Sequence, residues 1–168
     1  MRIRLMRIRL MRIRFKGRDM KREQHGFMLL ELLIAVIVAG LMAAIALPVY
    51  SGAIQRARIA QATADMSRIE PALERFRANG VLPPNLAAVG MDTLIDPWGN
   101  PYQYLNIEAG VNRGAVRKDR NLVPINTDYD LYSMGKDGIS RPPLTARPSR
   151  DDIVRAGNGA YMGLAEDY

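Results

Sequence analysis

Residues 27–50 carry a single charge, Glu31, and residues 32–47 are apolar or glycine without interruption. A helix rises 1.5 Å per residue, so this run is about long enough to cross the ~30 Å hydrocarbon core of a bilayer. A carboxylate inside such a run costs about 2.5–3.5 kcal/mol at the bilayer centre, so Glu31 needs a partner. Directly upstream, residues 1–26 hold ten Lys/Arg against two Asp/Glu. That bias holds the leading side cytoplasmic and sends the remaining body outward.

The formal charge of +7 is therefore local. Residues 1–26 account for +8, and the other 142 residues sum to −1. Phosphate recognition needs clustered cations, so the body of the chain offers nothing for nucleic acid. There is no cysteine, and the one histidine is His25. Disulfide frameworks, thiolate sites, multi-histidine metal sites and a Ser-His-Asp triad are thereby excluded from the body. The chain reads as a structural protein and not as an enzyme.

Residues 1–15 repeat a pentapeptide, Met-Arg-Ile-Arg-Leu twice and then Met-Arg-Ile-Arg-Phe. The period matches no solenoid unit. Met20 is followed by a complete short basic leader, so translation is expected to start there. Three readings compete for the apolar run. A cleaved secretory signal has an A-x-A site at Ala44-Ile45-Ala46, but its core would be too long and would contain Glu31. A plain anchor explains length and orientation, but neither the carboxylate nor the glycine before the run. A third reading must explain both.

Gly26-Phe27-Met28-Leu29-Leu30-Glu31-Leu32-Leu33 resembles the N-terminus of type IV prepilins. The resemblance implies cleavage by a prepilin peptidase between Gly26 and Phe27, and N-methylation of Phe27. Glu31 then becomes the fifth mature residue, where that family carries its glutamate, and Pro48 the twenty-second, where many pilins have proline. Met28 departs from the common threonine. Cleavage frees an amine at Phe27, which in a filament pairs with Glu31 of a neighbouring subunit and so compensates a buried charge.

Beyond residue 50, Ile59, Ala62, Met66, Ile69, Leu73 and Phe76 recur at helical spacing. Asn79-Gly80 and Pro83-Pro84 stop the helix near Ala78, and Pro48 is expected to kink or locally melt it. Turn residues at 97–101 precede a strand expected at 102–105, and a second strand is expected at 130–134, closed by Gly135-Lys136-Asp137-Gly138. Residues 110–128 are polar and basic and are expected to be a solvated excursion, with subunit contact as the alternative. The fold class is α+β: a pilin-like long N-terminal helix packed on a small antiparallel sheet, with a C-terminal loop region. The boundaries are a leader at 1–26, a membrane and assembly half-helix at 27–50, an amphipathic half at 51–80 and a globular region at 81–168.

The segments around Pro97-Trp98-Gly99-Asn100-Pro101 and Tyr129–Gly138 (129–138) narrow the resemblance to the major, G-type pseudopilin of type II secretion. That family carries Ca²⁺ in the loop after the last of these strands. The matching ligands here are Asp137, Asp151 and Asp152, with the backbone carbonyls of Met134 and Ile139. Hard oxygen donors in a flexible loop suit calcium. Against this stand Arg141, Arg147 and Arg150 in the intervening segment, and the aspartates equally suit ordinary turn and cap positions. The resemblance implies a self-assembling periplasmic filament that drives protein export, made with minor pseudopilins on an inner-membrane assembly platform. A surface pilin for adhesion, motility or DNA uptake is one alternative. A membrane-anchored periplasmic binding domain that never polymerises is another.

Overall fold

The computed structural model describes residues 21–168, with side chains from Phe27 onward. The repeat at 1–15 and the start at Met20 lie outside the described residues. The chain divides into two units between Pro48 and Val49.

Helix α1 spans Lys21–Arg77. In the first unit, every residue from 27 to 48 is exposed. The expected melted turn at Pro48 is absent, since helix is assigned on both sides of it and through it.

In the second unit, α1 turns amphipathic. Ala62, Met66, Ile69 and Leu73 are fully buried, while Ile59 packs at the edge of the same cluster. The helix stops where the sequence says it should. The Asn79 and Gly80 N–H groups donate to the Phe76 and Arg77 carbonyls at 3.0 and 2.8 Å, and Gly80 has φ 101°.

Four strands follow: β1 (Gln103–Asn106), β2 (Tyr129–Ser133), β3 (Ile153–Ala156) and β4 (Tyr161–Leu164). They form an antiparallel meander in the order β1-β2-β3-β4. The first two lie one residue from their expected positions. The second two are new: the segment read as C-terminal loop contains a hairpin turned by Gly157-Asn158-Gly159, all at positive φ.

The sheet is covered on both faces. Tyr129, Leu131 and Ile153 join the α1 stripe in one core, and Val154 and Ala156 join Ile125, Leu144 and Ala165 in another. Alternate residues of a strand face opposite ways, which explains why all of β3 is buried. Each large aliphatic side chain so covered contributes roughly 1.5–3 kcal/mol.

The second core corrects the reading of 110–128 as a solvated excursion. Residues 112–115 are exposed, but Val116, Arg117, Ile125, Asn126 and Asp128 are buried. The composition of a loop does not show which of its residues are sealed. The sheet's second face needed a cover, and this loop together with 139–150 supplies it: Lys118 N–H donates to the Pro142 carbonyl at 3.0 Å and Leu144 N–H to the Lys118 carbonyl at 2.8 Å.

Candidate functional site

Two regions carry the residues singled out by sequence. The first is the head of the apolar run. Gly26 and Phe27 lie inside α1, so the bond between them is held in helical backbone. Phe27 and Glu31 are four residues apart, which puts them on one face, one turn apart. Phe27 is 73 % exposed, and Leu29, Leu30, Leu32, Leu33, Ile34 and Ile37 are all more than half exposed. A contiguous apolar surface of this extent is not left in water. Helix α1 is long and apolar enough to cross a membrane. An acid one turn from a new N-terminus would also complement the positive end of the helix dipole.

The second region is the turn after β2. Here the structure brings together two segments that are distant in sequence. Asp96 organises the first: its Oδ1 accepts from the Trp98 and Asn100 N–H groups at 3.0 and 2.8 Å. Its Oδ2 accepts from Ser133 Oγ at 2.5 Å, and Ser133 Oγ accepts from the Gly135 N–H at 3.1 Å. Asn100 Nδ2 donates to the Gly135 carbonyl at 3.0 Å. The Trp-Gly-Asn-Pro turn is thus stitched to the Gly-Lys-Asp-Gly turn. Gly135 is required there: it has φ +64°, and a Cβ would sit 2.2 Å from the Asp151 carbonyl oxygen.

The three aspartates expected to hold calcium are each engaged in hydrogen bonds of their own around this turn. Asp151 Oδ2 accepts from the N–H groups of Lys136 and Asp137 at 2.9 and 3.1 Å. Asp137 Oδ1 accepts from the Ile139 N–H at 2.8 Å, closing its own turn. Asp152 is fully buried and pairs with Arg117 and with the Ser140 hydroxyl. Met134 is half-buried and Ile139 exposed. Among the described residues, no three His, Cys, Asp or Glu side chains are grouped so as to hold a metal ion. One oxygen of each of the three carboxylates is taken by N–H or O–H donors, and the buried Asp152 is committed to Arg117, so this arrangement does not fit a calcium ion that draws on all three.

The electrostatics of the body centre on two buried arginines: Arg117, expected in a solvated loop, and Arg155, which the sequence analysis does not single out. Arg155 donates from Nη1 and Nη2 to Asp128 at 2.9 and 2.8 Å and from Nε to Glu70 at 2.8 Å, over the Tyr129 ring. Burial works to raise the Asp128 carboxyl, but the Arg155 hydrogen bond and the Tyr129 N–H bring it below its ordinary value. Burial pushes Asp152 up to about 6, opposed by the Ser140 hydroxyl and by Arg117. The ion pair with Arg117 favours its charged form. Asp130 is raised by burial while accepting from the Arg117 N–H and from Asn126. The available signal was an arginine set among apolar neighbours, Val116-Arg117 and Val154-Arg155-Ala156.

No protein-family model matches the chain, and no solved structure matches it. Curated relatives do. The chain is 28 % identical over 141 residues to the type II secretion system core protein G of Pseudomonas aeruginosa, covering 70 % of this chain and 87 % of that protein. The core protein G of Escherichia coli K12 is 27 % identical over 145 residues, covering 86 % and 89 %. The type IV major pilin PilE of Neisseria gonorrhoeae is 27 % identical over 143 residues, covering 79 % and 83 %. With its long N-terminal helix packed on a four-stranded antiparallel sheet, the chain is related to the G-type pseudopilins, and type IV pilins are its more distant relatives.

Proposed function

We propose that this chain is a structural subunit of a type II secretion pseudopilus, the filament that drives export of folded proteins. It enters the inner membrane with its N-terminus cytoplasmic and its body periplasmic. A prepilin peptidase cuts between Gly26 and Phe27, and Phe27 is N-methylated. The mature subunit then leaves the bilayer to polymerise with copies of itself and with minor pseudopilins on the inner-membrane assembly platform. No chemistry is assigned to it.

One observation carries this reading: a fully exposed apolar helix surface over residues 27–50 whose single charge, Glu31, lies one turn after Phe27. A lipid anchor alone accounts for the apolar surface. It gives no reason for a carboxylate there, whereas a neighbouring subunit's amine does, and a misplaced subunit would leave two charges unpaired in an apolar core.

The mature protein should begin at N-methylated Phe27 by intact mass and N-terminal peptide analysis. Glu31→Val should leave insertion and cleavage unchanged but abolish most filament in a sheared-filament assay. Normal filament yield from that variant would remove this account of Glu31. An unprocessed N-terminus would favour a membrane-anchored domain that does not assemble. Filaments recovered at the cell surface under native expression would favour a pilus.

A further inference from the structure

We propose that the Arg117 guanidinium serves as the cation of the C-terminal loop region, closing residues 139–150 onto β3 so that the fold needs no divalent metal. This holds whether or not the chain polymerises.

Three oxygens surround the guanidinium. Nη1 donates to Ser140 Oγ at 2.5 Å and to the Arg141 carbonyl at 2.7 Å, and Nη2 donates to Asp152. A hydroxyl, a backbone carbonyl and a carboxylate are the donor types that a hard metal ion collects from a loop. The group is buried, with Arg117 only 3 % exposed, and its carbon lies 4.3 Å from the centre of the Tyr132 ring. Its backbone is pinned as well. Arg117 N–H donates to Asp130 Oδ2 at 2.7 Å, and the Arg117 carbonyl accepts from Ile125 N–H at 3.0 Å. One side chain therefore ties the 110–128 loop, the 139–150 loop and the start of β3.

The surrounding charge agrees. Residues 139–150 contain three arginines and no acid, a field that opposes a divalent ion from solution. A guanidinium delivered on the chain arrives by an intramolecular step and does not depend on ion concentration. Its planar fork also reaches two segments at once, where an ammonium would act as a point charge. With Asp152 engaged this way, Asp137 is left to close its own turn and Asp151 to cap the Lys136 and Asp137 N–H groups. Asp152 Oδ1 and Arg117 Nε are buried without a hydrogen-bond partner among the described residues, so Oδ1 is the point from which a metal ion would compete.

The test uses the full-length protein in detergent micelles. Its thermal midpoint should be the same in excess EDTA and in millimolar calcium chloride. A rise of about 4 °C or more with calcium would overturn the proposal. Arg117→Met and Asp152→Asn should each lower the midpoint, and the double variant should lose less than the two singles combined, because each single strands the other partner. Additive losses would refute the pairing. If Arg117→Met fails to fold, Asp152→Asn carries the test alone: chymotrypsin, a serine protease that EDTA does not inhibit, should cut faster at Leu144 within 139–150, and EDTA should leave that rate unchanged. Unchanged protection of that segment, or a new response to EDTA, would defeat the idea.

Discussion

Replacing Arg155 with methionine keeps an unbranched apolar stem and deletes the guanidinium with its charge. The side chain is 2 % exposed and Asp128 beside it 8 %, while Glu70 is 27 % exposed. Asp128 therefore loses both guanidinium hydrogen bonds with almost no water to replace them, whereas Glu70 turns to solvent at small cost. Stranding one partner of a buried pair costs about 3–5 kcal/mol, and loss of the cation stacked 4.0 Å from the Tyr129 ring centre adds to it. Total stabilities are about 5–15 kcal/mol, so this is a large share. With a urea slope of about 2 kcal/mol/M, the unfolding midpoint should fall by roughly 2 M. The single tryptophan, Trp98, packs at the edge of the main core and reports the transition by fluorescence. Arg155→Met combined with Asp128→Leu should recover part of the loss, since removing both charges leaves nothing stranded. A fall below about 0.5 M for the single variant, or no recovery in the double, would refute the reasoning.

Two further outcomes follow from the same structure. The Asp128 carboxyl titrates below its unfolded value of about 3.9, so its contribution to stability is present above that pH and lost as pH falls through the folded value; Asp128→Asn should be less stable at neutral pH and show a flatter decline below about pH 4 in acid titrations followed by circular dichroism. Gly135→Ala should cost clearly more than the ~1–2 kcal/mol of left-handed strain alone, because its methyl meets the Asp151 backbone at 2.2 Å, whereas Gly90→Ala, at a similar φ of +70° with open space around it, should cost only the strain; equal losses in urea titration would contradict the close approach.

The α1 stripe and its stop were legible because both are local. Ala62, Met66, Ile69 and Leu73 repeat at the helical period, and Gly80 supplies the positive φ that ends the helix. The first hairpin strands were legible to within one residue, since turn chemistry brackets them. Strands β3 and β4 were missed because neither alternates: β3 is covered on both faces, and β4 is half-buried throughout. Gly-Asn-Gly between them was the overlooked mark of a hairpin. The 110–128 loop was misread because polar composition does not reveal which residues will be sealed under another loop.

The candidate site divides the same way. Sequence alone determined the Gly26-Phe27 junction, the lone Glu31 and the membrane-length run, because spacing along one helix fixes which groups share a face. The family resemblance, and not spacing, singled out Asp137, Asp151 and Asp152 as one group. Only the tertiary structure decided what those carboxylates hold. Asp152 meets Arg117, 35 residues away in sequence, and Arg155 meets Glu70 across 85. Such pairings depend on which loop covers the second face of the sheet, and no periodicity records that. A charge that composition leaves in solvent becomes, once buried, the partner that ties a loop to the sheet.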